Sequence, residues 1–170
     1  IVMDNQIYGL TKGQTSPSSA KGFVTKSTPK GNIEKNVAPL ELALSSGATF
    51  VAQGFSSDIK ALTKMIEDAI HHDGFSFVNV FSPCVTYNKV NTYDWFKEHL
   101  TSIDDIEGYD ITDKQLAMKT VLDHESLVKG IVYQDTTTPS YESQISELEH
   151  EALAKRDIHI TEETFNDLTA

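Results

Sequence analysis

The sequence predicts an α/β fold: part of a parallel sheet with helices on both faces, followed by a small C-terminal extension. Three observations carry this. From residue 37 the patterns alternate as helix, strand, helix, strand, the order of sheets built from crossover units. Phe75–Phe81 is apolar on both faces, as in a strand covered by helices on both sides. The chain opens on Ile1-Val2-Met3 running into Asp4-Asn5, which reads as the carboxyl end of a buried parallel strand meeting its loop. Such an opening, with no Met, makes the sequence read as a fragment whose partner residues lie upstream of Ile1.

Taken in order, residues 8–36 are rich in Gly, Ser, Thr, Lys and Pro and show no periodicity; so long a stretch is either functional or disordered. Pro39–Ser46 is expected as a short helix, stopped by Gly47 in a left-handed cap. Thr49–Gln53 is expected as a strand. Ser56 and Ser57 offer an N-cap, with Asp58 in the first turn. Ile59, Leu62, Ile66, Ala69 and Ile70 then mark one face of a helix ending near His72. Beyond about residue 90 the composition shifts. Thr92–Leu100 is a helix capped by Thr92, and Thr112 with Gln115 forms a capping box ahead of Leu116, Met118 and Leu122. Gly130–Tyr133 is a short strand. Two domain segments are expected: 1–90 and 91–170.

The chain has 170 residues, 39% hydrophobic and 23% charged, which excludes disorder throughout. Lys and Arg number 14 against 25 Asp and Glu, a net charge of -11. That argues against a general nucleic-acid binder and against an anionic membrane surface. No apolar run approaches the roughly 20 residues of a membrane span, and no signal peptide opens the chain. Cys84 is the single cysteine. It excludes an internal disulfide framework and fits the reducing cytoplasm. The acids of the last thirty residues (Glu142, Glu147, Glu149, Glu151, Asp157, Glu162, Glu163 and Asp167, against Lys155 and Arg156) read as a solvated helix and tail.

Two constellations carry chemistry. The first is Asp4-Asn5-Gln6-Ile7-Tyr8-Gly9-Leu10-Thr11-Lys12-Gly13-Gln14, a strand end followed by a polar loop. Ligands of open α/β sheets bind outside the carboxyl ends of strands. The Asn5 amide oxygen and a backbone carbonyl such as that of Ile7 are hard oxygen donors suited to Mg²⁺. Gly9 and Gly13 allow close approach of a diphosphate or ring, and Lys12 offers a charge to a carboxylate or phosphate. The same spacing is also that of a turn whose Asn and Gly relieve strain. The second constellation is Phe81-Ser82-Pro83-Cys84-Val85-Thr86-Tyr87-Asn88, again after a strand. By itself Cys84 reads as a small hydrophobe or as a ligand awaiting partners. His71 and His72 at a helix end read as dipole partners, and Trp95 with Phe96 as packing.

Residues 4–17, Asp-Asn-Gln-Ile-Tyr-Gly-Leu-Thr-Lys-Gly-Gln-Thr-Ser-Pro, resemble the thiamine-diphosphate loop of the β subunit of 2-oxoacid:ferredoxin oxidoreductases. Ser-Pro-Cys-Val-Thr-Tyr-Asn at 82–88 resembles a second signature of that subunit. So does the order of Thr28-Pro29, Leu42-Ala43, Gly47-Ala48-Thr49-Phe50-Val51 and His72-Asp73-Gly74-Phe75-Ser76. The resemblance is closest over residues 1–100. It implies that 1–90 is the C-terminal part of a thiamine-diphosphate-binding domain and 91–170 the C-terminal region of the β subunit. It further implies oxidative decarboxylation of a 2-oxoacid, pyruvate or 2-oxoglutarate, to an acyl-CoA, with electrons passed through iron-sulfur clusters to ferredoxin. The implied partners are the α subunit, ferredoxin, coenzyme A and the 2-oxoacid. Asn5 matches the family's Mg²⁺-ligating Asn, and the Ile7 carbonyl its main-chain ligand. Gly9 and Leu10 fall in its cofactor loop, and Lys12 at its substrate-binding position. Cys84 matches the last cysteine of the [4Fe-4S] site.

The family's Gly-Asp-Gly motif and its Cys-x-x-Cys pair are absent, and the glutamate that activates the thiamine ring is expected on the α subunit. The isolated fragment is therefore expected to be inactive. Two other readings stay open: a cluster-free thiamine-diphosphate decarboxylase subunit, and a non-catalytic interaction domain that has kept the fold.

Overall fold

The structure, a computed structural model, describes residues 1–145, 148, 153–155 and 159–169. It divides into two compact units, Ile1–Thr138 and Pro139–Ala170.

The first unit is built on a five-stranded sheet. Its elements in chain order are β1 (Val2–Asp4), α1 (Pro39–Ser45), β2 (Phe50–Phe55), α2 (Ile59–His71), β3 (Ser76–Phe81), α3 (Tyr93–His99), β4 (Thr101–Ser102), α4 (Lys114–Asp123) and β5 (Val128–Gln134). The strand order is β1-β3-β2-β5-β4. β1, β3 and β2 are mutually parallel; β5 runs antiparallel to β2, and β4 is parallel to β5. The expected α/β class and the cover on both faces hold. On one face α1 and α4 bury Leu40, Leu44, Val51, Val121, Val128 and Val132. On the other, Met65 of α2 packs with Phe50, Ala52, Val78 and Val80. At the carboxyl end of the parallel strands α3 inserts Phe96, stacked on Phe81 with ring centroids 4.5 Å apart. Each such fully buried aromatic contributes about 1.5–3 kcal/mol.

Local differences from the sequence reading have local causes. The cap of α2 is Asp58, whose carboxylate accepts from Ala61 N at 3.3 Å, not Ser56 or Ser57. Ser56 is still engaged with the strands, donating its N–H to the Phe81 carbonyl and sharing a hydroxyl bond with Tyr93. The buried face of α2 is Met65 with half-buried Leu62, Ile66 and Ala69, while Ile59 and Ile70 are each 74% exposed. The cap of α4 is Asp113, accepting from Gln115 N and Leu116 N, because Thr112 is held in the preceding turn by Asp110. Leu122 is exposed, and α4 buries Ala117, Thr120 and Val121 instead. Thr92 does cap α3, accepting from Trp95 N. Gly47 follows α1 with a left-handed φ of 89°. His71 Nδ1 lies 2.8 Å from the Glu67 carbonyl, and His72 bonds the Thr49 hydroxyl.

The second unit holds short 3-10 turns at Glu142–Gln144 and Leu153–Lys155 and a helix α5 (Glu162–Thr169), with Thr161 accepting from Thr164 N. Of the acidic tail, Glu147, Glu149, Glu151, Arg156 and Asp157 lie outside the described residues.

A buried chain of amides crosses the sheet. Gln53 on β2, 1% exposed, donates Nε2 to the carbonyls of Ser126 (2.6 Å) and Val128 (2.7 Å). Its Oε1 accepts from Asn79 Nδ2 on β3 at 2.8 Å. The Gln53 side chain thus adds to the backbone ladder that joins β5 to β2. Leu at position 53 matches the volume but leaves two carbonyls and one amide with fewer partners in a dry interior. Gln53→Leu should lower unfolding stability by about 3 kcal/mol or more, since each of the three abandoned groups costs about 1–3 kcal/mol; chemical denaturation measures it.

Candidate functional site

The site forms where β1 and β3 end side by side. Their pairing sets Met3 opposite Val80 and Asp4 opposite Phe81, and Ser82 N donates to the Asp4 carbonyl at 2.8 Å. The loops that follow therefore leave the same edge of the sheet together.

The first loop is turned by its own side chains. Asp4 Oδ1 accepts from Gln6 N (3.0 Å), and Asn5 Oδ1 accepts from Ile7 N (3.2 Å). These two bonds bend the chain through Gln6, whose φ is 57°. Lys12 is also left-handed, with φ 71°. Non-glycine residues in this region cost about 1–2 kcal/mol each, and such strain gathers at functional sites. The loop closes on itself through Tyr8 N to the Gln14 carbonyl (2.9 Å). A hydroxyl cluster of Thr15, Thr25, Ser27 and Thr28, with contacts of 2.6–3.2 Å, ties the next turns down.

The second loop docks against the first through two glycines. A Cβ on Gly9 would lie 3.0 Å from Cys84 Sγ, and one on Gly13 would lie 3.1 Å from the Tyr87 ring. Only residues without side chains let the loops approach this closely, and Gly13 also needs its φ of 92°. Asn88 closes the second loop: its N–H donates to the Cys84 carbonyl (3.0 Å), and its Oδ1 accepts from Val90 N and Asn91 N.

Between them lies a cavity of about 570 Å³, lined by Met3, Asn5, Gly9, Leu10, Cys84, Tyr87 and Tyr93 among others. Four of the residues singled out from sequence, Asn5, Gly9, Leu10 and Cys84, thus share one cavity. The Leu10 side chain is 99% exposed at its rim. Two do not line it: the Ile7 side chain is buried beneath the loop at 2% exposure, and Lys12 is exposed on the loop. Trp95, read as packing, stacks on His99 at 4.1 Å, and Phe96 is in the core.

Asp4 is a site residue that sequence reasoning misses. It is 7% exposed and receives Ser18 Oγ at 2.6 Å as well as Gln6 N. Burial raises its carboxyl above the ordinary range, with the Ser18 and Gln6 bonds opposing. The adjacent Asp-Asn pair at a strand end is the one local signal; the Ser18 contact, fourteen residues on, has none. For Cys84, partial burial acts to raise the thiol. The backbone N–H groups of Tyr87, Thr86 and Asn88 and the charge of Lys89 outweigh it, and the pKa lies below its usual value.

Both shifts have measurable consequences. Cys84 should react with an aromatic disulfide reagent at pH 7 faster than an unperturbed cysteine, because thiolate is the reacting form. Gly9→Ala should slow it several-fold by placing a methyl against Sγ; the rate of released thiolate measures both. Asp4 binds its proton more tightly folded than unfolded. Its contribution to stability is therefore full below the unfolded value of about 3.9 and is lost as pH rises through the higher folded value. Asp4→Asn keeps the acceptor oxygen and should melt above the parent at pH 7, the difference closing below about pH 4.

Comparison with known proteins matches the chain in two stretches. Residues 1–80 match the family described as thiamine pyrophosphate enzyme, C-terminal TPP binding domain. Residues 84–150 match the family that describes the C terminal of the pyruvate ferredoxin oxidoreductase beta chain. The chain is 39% identical over 155 residues to the 2-oxoacid:ferredoxin oxidoreductase subunit beta of Sulfolobus sp, covering 85% of this chain and 51% of that one. It is 38% identical over 157 residues to the corresponding subunit of Saccharolobus solfataricus, covering 86% and 52%. In structure it is similar to the 2-oxoglutarate:ferredoxin oxidoreductase from Magnetococcus marinus with 2-oxoglutarate, coenzyme A and succinyl-CoA bound. The TM-score is 0.82 at 31% identity, over 99% of this chain and 56% of that one. The chain spans about half the length of the curated relatives it matches. With both loop signatures converging on one cavity and each half matched to its own family model, the chain belongs to the β subunits of the 2-oxoacid:ferredoxin oxidoreductases.

Proposed function

We infer that the cavity between the two loops is this chain's share of the thiamine-diphosphate site of a 2-oxoacid:ferredoxin oxidoreductase. The enzyme would convert a 2-oxoacid and coenzyme A to acyl-CoA and carbon dioxide, with ferredoxin taking the electrons. The observation that carries this is the meeting of Asn5, Gly9, Leu10 and Cys84 around one cavity at the carboxyl edge of the parallel strands. The Magnetococcus relative, with 2-oxoglutarate and coenzyme A bound, supports the substrate class. The full enzyme pairs this subunit with an α subunit. Among the described residues no helix is long and apolar enough to cross a membrane, and the single free thiol favours the cytoplasm. The two family matches meet between residues 80 and 84, which supports a division near residue 90.

The donor set fits the implied groups in part. Asn5 Oδ1 keeps a lone pair beyond its bond to Ile7 N, so with the Ile7 carbonyl it offers Mg²⁺ two hard oxygens. Among the described residues no three His, Cys, Asp or Glu gather as a metal site, so further ligands come from outside. Cys84 supplies one of the cysteine thiolates that hold a [4Fe-4S] cluster. Its low pKa and the N–H groups around it suit a ligating sulfur.

Thiamine diphosphate, when bound, supplies the carbanion and the electron sink for decarboxylation. Asn5 and the Ile7 carbonyl anchor the diphosphate's cation. Gly9 and Gly13 keep side chains out of its path. Leu10, exposed at the rim, would shield the bound group from water. Lys12, exposed on the same loop, would offer its ammonium to the substrate carboxylate. Cys84 would supply one thiolate to the cluster that accepts the electrons.

The test uses the enzyme assembled with its α subunit. Asn5→Ala should weaken dependence on Mg²⁺-thiamine diphosphate by about 10- to 100-fold. Lys12→Ala should lower kcat/KM for the 2-oxoacid by about 10- to 100-fold, the worth of one charge-assisted hydrogen bond. Cys84→Ala should lower iron content and ferredoxin reduction while sparing decarboxylation. Unchanged cofactor and substrate constants in the first two variants would remove the cavity from the reaction.

A further inference from the structure

Ser56 does not cap α2, and its bonds lead elsewhere. Its N–H donates to the Phe81 carbonyl at 2.9 Å, at the carboxyl end of β3 and three residues before Cys84. Its hydroxyl meets the Tyr93 hydroxyl at 3.0 Å. Ser56 therefore ties Tyr93, the first residue of α3, to the root of the loop that carries Cys84. The Tyr93 ring is held as well. Its centroid lies 5.4 Å from that of Phe55, in the aromatic cluster with Phe81 and Phe96. Thr92 caps α3 by accepting from Trp95 N at 3.3 Å, which fixes the backbone from which Tyr93 projects. Tyr93 is half-buried and lines the cavity between the two loops together with Cys84. Among the described residues it is the polar side chain of that lining that comes from neither loop.

The hydroxyl pair has a proton to spare. Two O–H groups joined by one hydrogen bond use one proton, and the other is left to donate. The phenol is the stronger acid of the two. With an anionic acceptor in the cavity, the favoured arrangement has Ser56 donating to Tyr93 and Tyr93 donating to the anion. Each bond in such a chain strengthens the next. Neither the cation anchor at Asn5 nor the Cys84 thiolate uses this proton. A cluster held through Cys84 presents thiolate and sulfide sulfurs, all of them anionic acceptors. Hydrogen bonds to those sulfurs help set the reduction potential, because they favour the reduced, more negative form. A phenol already held by a ring contact and a second hydroxyl gives up little freedom in making one.

We propose that Tyr93 donates a hydrogen bond from its hydroxyl to a sulfur of the [4Fe-4S] cluster, with Ser56 as the positioning residue that orients it, and that the pair raises the potential at which the cluster accepts an electron. The proposal rests on the reading of Cys84 as a cluster ligand. No covalent bond forms or breaks: one electron enters the cluster, and the Tyr93 proton stays on its oxygen. The test is an oxygen-free potentiometric titration of the cluster, followed by the paramagnetic resonance of its reduced form, in the enzyme assembled with its α subunit. Tyr93→Phe keeps the ring and removes the donor. It should retain iron and make cluster reduction about threefold to tenfold less favourable, a shift of about 30–60 mV to lower potential. Ser56→Ala should shift the potential the same way by less, and Ser56→Thr, which restores a hydroxyl, should return it to that of the parent. In the double variant Ser56→Ala should add nothing to Tyr93→Phe, because it acts through that hydroxyl. An unshifted potential in Tyr93→Phe, or shifts of the two single variants that add, would overturn the proposal. So would loss of iron from Tyr93→Phe, since Tyr93 would then be holding the cluster in place rather than tuning it. A parent enzyme without iron, or Cys84→Ala with full iron, would instead remove the underlying reading of the site.

Discussion

The parallel pairing of β1 with β3, in the register that sets Asp4 opposite Phe81, is the constraint on which the site depends. Because the side-chain period of a strand is two, a slip of one residue would exchange the faces of Val2 and Asp4 with those of Met3. Asp4 would lose Ser18 and Gln6, and the first loop would no longer start level with the second. The register holds because Asp4 contributes at both levels. Its carbonyl accepts from Ser82 N, and its carboxylate turns the chain at Gln6. A buried carboxylate is an expensive way to fix a turn, and its raised pKa records that expense.

From that register the approach of the two loops follows by exclusion rather than by attraction. Nothing strong joins Gly9 to Cys84 or Gly13 to Tyr87; the contacts are close because no Cβ intervenes. The stabilising bonds are internal to each loop, the hydroxyl cluster at Thr15, Thr25 and Thr28 on one side and the Asn88 bonds on the other. Each loop is thus held by its own bonds, and the cavity lies between the two.

The polar interior of the sheet serves a different end. Gln53 and Asn79 occupy positions where apolar residues would pack; Gln53 donates to the carbonyls of Ser126 in the turn and Val128 at the start of β5, and accepts from Asn79. Specific hydrogen bonds of this kind select one neighbour and one orientation, where apolar packing would accept several. They hold β5, which runs antiparallel to β2, against the parallel core.

Much of this was legible in the sequence. The Ile-Val-Met-Asp-Asn opening and the Phe75–Phe81 run each located a strand end, and in a parallel sheet strand ends fall on one edge, so Asn5 and Cys84 could be placed near each other from sequence alone. Helices α1, α2 and α3 were legible because periodicity and Pro, Thr or Gly punctuation are local signals. Which of two neighbouring capping residues caps was not: Ser56 against Asp58 and Thr112 against Asp113 differ only in what the preceding backbone is already bonded to. The exposure of Ile59 and Ile70 depended on how α2 rolls over the sheet, and the antiparallel direction of β5 on the turn through Glu125 and Ser126 and the grip of Gln53. The sequence by itself determined the elements and the chemistry at their ends, because those follow from residues a few positions apart. Only the tertiary structure decided the antiparallel direction of β5, the buried Asp4–Ser18 contact and the glycine-to-cysteine approach, because each joins groups that meet only once the sheet has chosen its order.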